Sequence, residues 1–132
     1  MIDASREKVL VPTKDEEAPY PIPTEWRDTF REIVRAFAEG DYSLARGLTN
    51  VRRVSDSTSE QIREYVADYG QRLVPLPEDT WRTSEAQWMG AHWDVLVDLW
   101  TAGEGRSDMV LGADVFETDT GFEIEVNLVY VP

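Results

Sequence analysis

Cysteine is absent from the 132 residues of this sequence, and histidine occurs only once, as His92. Without thiols the chain has no disulfide bond, no thiolate nucleophile and no cysteine-ligated zinc. A single imidazole also disfavours a soft transition-metal site. We therefore predict no soft-metal site and no cofactor, and we assign no residue as a metal ligand.

Long apolar runs are missing as well. Val95–Val97 is typical of the longest apolar stretches in the sequence, whereas a membrane-spanning helix needs about 20 such residues. Near the N-terminus, Asp3 and Glu7 lie where a signal peptide would have a basic region followed by an apolar one. The sequence therefore predicts a cytoplasmic protein without a membrane partner.

Positive charge is scarce, because 13 Lys and Arg residues face 26 Asp and Glu residues and leave a net charge of −13. A field of that sign repels nucleic acid phosphates and anionic lipids, and it attracts basic surfaces. The composition therefore argues against a nucleic acid partner and favours a basic protein. The plainer interpretation, that acidity only keeps the protein soluble, stays open.

The first half of the chain shows helical periodicity in two places. Thr24 is the expected N-cap of the first helix, and Gly40 is its stop signal. Ser57–Glu60 fits the capping box that begins the second helix, which Gly70 ends. The apolar stripes of the two helices consist of Trp26, Phe30, Ile33, Val34 and Phe37, and of Ile62, Tyr65, Val66 and Tyr69.

The second half changes to the alternation of strands. Strands are predicted over Trp93–Thr101, Asp108–Glu117 and Phe122–Val131, with a shorter extended piece over Arg72–Leu76. The expected fold is α+β, with two main helices packed on one face of a C-terminal antiparallel β-meander of three to four strands. Residues 1–22 are expected to form an extended or partly disordered N-terminal segment, with an edge strand at Val9–Val11 as one alternative. Residues 23–132 are expected to form a single domain.

Three acidic residues fall on the side of this sheet that the helices leave free. If the apolar residues pair across the hairpins, Asp94, Asp114 and Glu125 form a row on adjacent strands. Same-sign neighbours across strands destabilise a sheet, so the row has three competing explanations: a hard cation such as Ca²⁺ or Mg²⁺, the basic side chains of a partner, or a solvated surface without a task. The assumed register pairs Val115 with Ile124, Leu111 with Leu128 and Leu99 with Met109.

Apolar side chains share this free side of the sheet. Either the N-terminal segment covers them or they form an exposed patch of the kind that marks an interface. The predicted partner-binding face comprises Asp94, Leu96, Asp98, Trp100, Asp114, Phe116, Glu123 and Glu125.

Catalytic motifs give no positive signal. His92 has Asp94 and Asp98 nearby in sequence as partners for a general base, but a lone histidine entering a strand is more often structural. With so many acidic residues, a pair of carboxylates carries little information, and no serine lies in a nucleophile elbow. No catalytic residue is therefore predicted, and an enzyme is not favoured.

Several segments carry a resemblance to other proteins. Trp93–Trp100 (WDVLVDLW), Glu104–Asp108 (EGRSD) and the closing Val129–Pro132 are similar to a family of short uncharacterised bacterial proteins, a domain of unknown function. Pro23–Trp26 and Gln61–Tyr65 extend the resemblance to about residues 20–132. It implies a bacterial protein with one domain, and it implies no activity or catalytic residue.

These observations favour a non-enzymatic protein-binding module, for example an immunity-type protein that neutralises a basic toxin. The alternative is a small-molecule-binding or cryptic enzymatic domain, in which Trp and Tyr line a pocket that holds His92 or an aspartate. An apolar edge strand, or the patch around Leu96 and Trp100, would equally well support a homodimer.

Overall fold

The computed structural model describes residues 9–132. This part of the chain forms five strands and two α-helices, and a 3₁₀ helix lies between α2 and β2. In chain order the elements are β1 (Tyr20–Pro21), α1 (Thr24–Ala38), α2 (Asp56–Tyr69), the 3₁₀ helix (Glu78–Arg82), β2 (Glu85–Trp88), β3 (Trp93–Thr101), β4 (Gly105–Thr118) and β5 (Gly121–Tyr130). None of the helices in this described part is long and apolar enough to cross a membrane.

Both predicted helices are present, and their stop signals are confirmed, whereas the predicted caps are not. Gly40 and Gly70 adopt positive φ angles of 88° and 83° just after the helices, a conformation that glycine adopts without steric cost. The N-cap of α2 is Ser55, whose side chain accepts a hydrogen bond from the Thr58 amide, two residues before the predicted cap. Thr24 caps nothing, because its hydroxyl accepts from the Leu10 amide at 2.8 Å instead.

The sheet is antiparallel throughout, in the order β1-β2-β3-β4-β5. The α+β class is confirmed, but the prediction of three to four strands is too low. β1 and β2 are two and four residues long, too short for an alternating pattern to show. Conversely, the predicted strand at Arg72–Leu76 contributes only an isolated bridge between Leu73 and Thr101.

One face of the sheet, the inner face, packs against both helices. The indole of Trp26 in α1 meets that of Trp93 in β3 with ring centroids 5.1 Å apart. Burying each such side chain contributes about 1.5–3 kcal/mol relative to leaving it in water. The buried cluster joins the two helical stripes to Trp93, Val95, Val97, Leu99, Met109, Leu111, Ala113, Val115, Ile124, Val126 and Val129.

A bulge near the end of β5 changes which residues face inward. Gly112 lies opposite Leu128 and Ala113 opposite Val126, so Asn127 is an extra residue in β5. The predicted pairing of Leu111 with Leu128 is therefore wrong, because Leu111 lies opposite Val129. Val129 is fully buried and Leu128 is 37% exposed, the reverse of the prediction.

The pairing of β3 with β4 is also irregular at one place. Asp98 lies opposite Val110, but Trp100 lies opposite Arg106, so the register shifts between Asp98 and Trp100. The predicted pair of Leu99 and Met109 has the same register as the regular stretch from Trp93 and Val115 to Asp98 and Val110, and it lies where that register begins to shift. Both side chains are fully buried. The predicted pair of Val115 and Ile124 is confirmed.

Residues 9–19 run as an irregular segment along the domain. The Thr24 amide donates to the Leu10 carbonyl at 2.9 Å, and the Trp93 indole N–H donates to the Thr13 carbonyl at 3.0 Å. Val9–Val11 forms no strand, so that alternative is wrong. The part of the predicted N-terminal segment before residue 9 lies outside the described residues.

The outer edge of β5 is largely occupied by groups of the chain itself. The Ile124 amide donates to the Asn50 carbonyl at 2.7 Å and the Ile124 carbonyl accepts from the Arg52 amide at 2.8 Å. Further along, the Gln61 side chain donates to the Val129 carbonyl at 2.9 Å and accepts from the Val129 N–H at 3.3 Å. These bonds take up backbone groups that would otherwise be free to pair with another strand.

Candidate functional site on the outer sheet face

The predicted row of carboxylates exists on the sheet face opposite the helices, which we call the outer face. Asp94 in β3 lies directly opposite Asp114 in β4, and Asp114 lies directly opposite Glu125 in β5. The strand register brings the three acids together, although the bulge at Asn127 lies next to Asp114. Like charges in such positions repel one another, so each carboxylate needs a compensating partner.

Arg52 supplies the compensation at one end of the row. Its guanidinium donates to Glu123 Oε1 at 2.6 Å and to Glu125 Oε2 at 3.1 Å, and it lies 4.2 Å from the Phe116 ring centroid. Hydrogen bonds to Glu123 and then Glu125 raise the pKa of Arg52. Glu125 is therefore paired within the chain, and the row has less uncompensated negative charge than the sequence indicates.

Sequence reasoning missed Arg52. It lies in the connection between α1 and α2, and it reaches the outer face because its backbone N–H adds to the edge of β5. About 70 residues separate Arg52 from the glutamates along the chain, and no local pattern signals a contact over that distance.

His92 supplies the compensation at the other end. Its Nε2 lies 3.0 Å from Asp94 Oδ1 and 3.6 Å from Asp114 Oδ1. The ring packs beside Phe116 with centroids 5.4 Å apart. The tight β2–β3 turn, with Gly90 at φ 95° and the Met89 amide donating to the His92 carbonyl at 2.8 Å, holds it there. Proximity to Asp94 was predicted, whereas contact with Asp114 was not.

Asp114 is the most perturbed acid of this group. Partial burial is the largest influence and raises the pKa of its carboxyl, and the neighbouring charge of Asp94 adds to the increase. The charge of His92 and a hydrogen bond from the Asn127 side chain act in the opposite direction. The side chain of Asp114 is 22% exposed, against 53% for Asp94, so the two aspartates are inequivalent.

The middle of the outer face is apolar. Leu96, Leu128 and Tyr130 surround Gly112, and the shallow depression above this glycine has a volume of about 170 Å³. A Cβ atom on Gly112 would come within 2.9 Å of the Leu128 side chain, so the depression depends on the missing side chain. Asp94 and Asp114 border it, but it is smaller than the roughly 300 Å³ of typical ligand pockets.

The remaining predicted face residues lie at the far end. Asp98 accepts a hydrogen bond from the Thr83 hydroxyl, and Trp100 is half-buried opposite Arg106. Six residues of strand separate Asp94 from Trp100, a distance of about 20 Å. The structure thus groups Asp94, Asp114, Phe116, Glu123 and Glu125, with Leu96 beside them and Asp98 and Trp100 apart.

A larger cavity lies beside the connection between the helices, and Arg52 is among its lining residues. It measures about 390 Å³ and is lined by the connection between the helices, from Ser43 to Asp56. Neither a Trp nor a Tyr is among its lining residues, and His92 is not among them. This cavity therefore differs in composition from the aromatic pocket that the alternative interpretation requires.

Comparison with known proteins gives a family but no activity. The model of a domain of unknown function (DUF7668) matches residues 34–132. The chain belongs to this family. The matched range includes Trp93–Trp100, Glu104–Asp108 and the whole of α2, whereas only the last five residues of α1 lie within it. No curated protein and no solved structure matches the chain.

Proposed function

We propose that this protein is a non-enzymatic binding module, and that a basic protein docks on its outer face. The supporting observation is the composition of that face. It carries the half-buried Leu96, Trp100 and Phe116 and the 37%-exposed Leu128 among acidic side chains. Within residues 9–132, both helices contribute their apolar stripes to the buried cluster on the other face. Apolar groups surrounded by polar ones on an uncovered surface are typical of protein interfaces.

The charge on this face defines the class of partner. Asp94, Asp114, Glu123 and Glu125 are compensated only by Arg52 and His92 among the contacts described above. The outer face therefore has a surplus of negative charge within a protein of net charge −13. Such a surface accelerates encounter with basic proteins and repels acidic ones.

A nucleic-acid-directed toxin is a specific form of such a partner. A protein that acts on nucleic acid needs a positive surface for the phosphates, and an acidic module bound there would block it. In this form of the proposal the protein is an immunity-type protein. A toxin gene adjacent to the gene of this protein, together with inhibition of the purified toxin by this protein, would support it.

The test compares two variants with the same change in charge. Asp94→Asn with Glu125→Gln removes two negative charges from the outer face, and Glu32→Gln with Asp68→Asn removes two from exposed positions on the helices. Wild type and both variants are used to capture proteins from the native host, with a chelator present, at low and high salt. The captured protein is then purified and its Kd measured. We expect a basic partner that binds the helix variant as tightly as wild type and the outer-face variant about tenfold more weakly.

Three results would contradict this proposal. Equal affinity for both variants would place the partner elsewhere on the surface. Recovery of an acidic partner would contradict the charge argument. A concentration-dependent dimer in light scattering that Leu96→Arg abolishes would show that a second copy of the chain occupies the outer face.

A further inference from the structure

Three potential metal ligands converge where the β2–β3 turn meets β4. The atoms are His92 Nε2, Asp94 Oδ1 and Asp114 Oδ1, which all lie within 4.8 Å of one another. They do not form a purely acidic cluster, because an imidazole nitrogen lies between two carboxylates. The backbone of two paired strands positions both aspartates directly opposite each other.

The separations agree with coordination of a single ion. Two atoms bound to one metal ion at about 2.1 Å lie about 3.0 Å apart at a right angle and about 3.4 Å apart at the tetrahedral angle. The His92 nitrogen lies 3.0 and 3.6 Å from the two carboxylate oxygens. Both distances from His92 thus match those between ligands of one ion, and the two carboxylate oxygens lie within 4.8 Å of each other.

The surroundings of these atoms resemble the outer shell of a metal site. Phe116 packs against the His92 ring, and Asn127 lies beside Asp114 in the wall of the depression over Gly112. Packing around a metal ligand restrains its orientation and controls the access of solvent to the metal. Asp94 is 53% exposed, so the open side is accessible to water molecules that would complete the coordination.

We propose that His92, Asp94 and Asp114 bind a divalent transition-metal ion such as Zn²⁺ or Mn²⁺, with water in the remaining positions. An imidazole with two carboxylates suits these ions, whereas Ca²⁺ takes six to eight oxygen ligands. The site differs from the cation site considered on sequence grounds, because Glu125 bonds to Arg52 and His92 takes its place. The proposal is independent of any protein partner.

The experiment is a titration of the metal-free full chain with Zn²⁺, Mn²⁺, Mg²⁺ and Ca²⁺ separately, by calorimetry and by NMR. His92 is the only histidine, so its ring signals report on the site without ambiguity. We expect Zn²⁺ or Mn²⁺ to bind one equivalent and to perturb the His92 ring signals, by shift or by paramagnetic broadening. Affinity should fall at least about tenfold in His92→Ala and in Asp114→Asn, and it should be unchanged in Asp68→Asn.

Two outcomes would overturn the proposal. Equal affinity of wild type, Asp114→Asn and Asp68→Asn would show only loose association of cations with an acidic surface. Unperturbed His92 signals at millimolar Zn²⁺ and Mn²⁺ would show that the imidazole is not a ligand. Circular dichroism of each variant verifies that it is folded, and none of the three ligands belongs to the buried core, so their replacement leaves no core cavity.

Discussion

The two faces of the β3–β5 sheet are built from the same alternating strands, yet different forces act on them. On the inner face Val97, Leu99 and Leu111 are fully buried and pack against helices. On the outer face Asp94, Asp114 and Glu125 are held by directional contacts with His92 and Arg52. Apolar packing keeps most of its free energy when side chains shift slightly, whereas charged hydrogen bonds depend on distance and direction. The inner face therefore carries most of the stability of the fold, and the outer face carries the polar groups on which the proposed binding depends.

The largest expected effect compares one phenylalanine from each side of the sheet. Phe30 is fully buried in α1 against the inner face, and Phe116 is half-buried on the outer face. Phe30→Ala should lower the free energy of unfolding by about 3–5 kcal/mol. Phe116→Ala should cost less than half as much. Urea denaturation of both variants measures the difference, and equal losses would mean that the outer face also supports the core.

A smaller effect is expected from Arg52. Arg52→Ala removes two ion pairs and the contact with Phe116. The side chain is 39% exposed, so screening limits the loss to about 0.5–1 kcal/mol. Arg53→Ala is the matched control, because Arg53 makes no ion pair in the described part of the chain. A loss as large for Arg53 would show that the pairing on the outer face is not what stabilises this connection.

The smallest effect has the opposite sign. Burial raises the pKa of Asp114 in the folded protein. The folded state therefore favours the protonated carboxyl, and the free energy of unfolding decreases as the pH rises through the raised pKa and the carboxyl ionises. Asp114→Asn should therefore increase the free energy of unfolding at pH 8 by about 0.2–1 kcal/mol. The variant should also show a weaker pH dependence of the free energy of unfolding above the ordinary pKa of an aspartate. Thermal unfolding from pH 4 to pH 8 checks this, and a destabilised variant at pH 8 would contradict it.

Much of the fold was predictable because its signals are local. The stripe from Trp26 to Phe37 and the glycines that end the helices occur within a few turns of chain. The alternation in β3 to β5 is equally local, and it correctly placed Asp94 beside Asp114 and Asp114 beside Glu125. The two-residue β1 was not predictable, because Tyr20–Pro21 becomes a strand only by pairing with β2.

The bulge at Asn127 shows where local reasoning fails on the sheet itself. Strict alternation predicted Leu128 inside and Val129 outside, and one inserted residue reverses both. The depression over Gly112 follows from the same irregularity, since Leu128 and Tyr130 border it. No feature of the sequence around Asn127 distinguishes a bulge from a regular strand.

By itself the sequence determined the α+β class, both helices, the three long strands and the acidic row on one sheet face. All of these depend on the periodicity of apolar residues along the chain, which neighbouring residues decide. Only the tertiary structure decided that Arg52 pairs with Glu123 and Glu125, and that His92 reaches Asp114. These contacts join residues 22 to 73 positions apart, and they depend on the packing and strand pairing that hold those segments together.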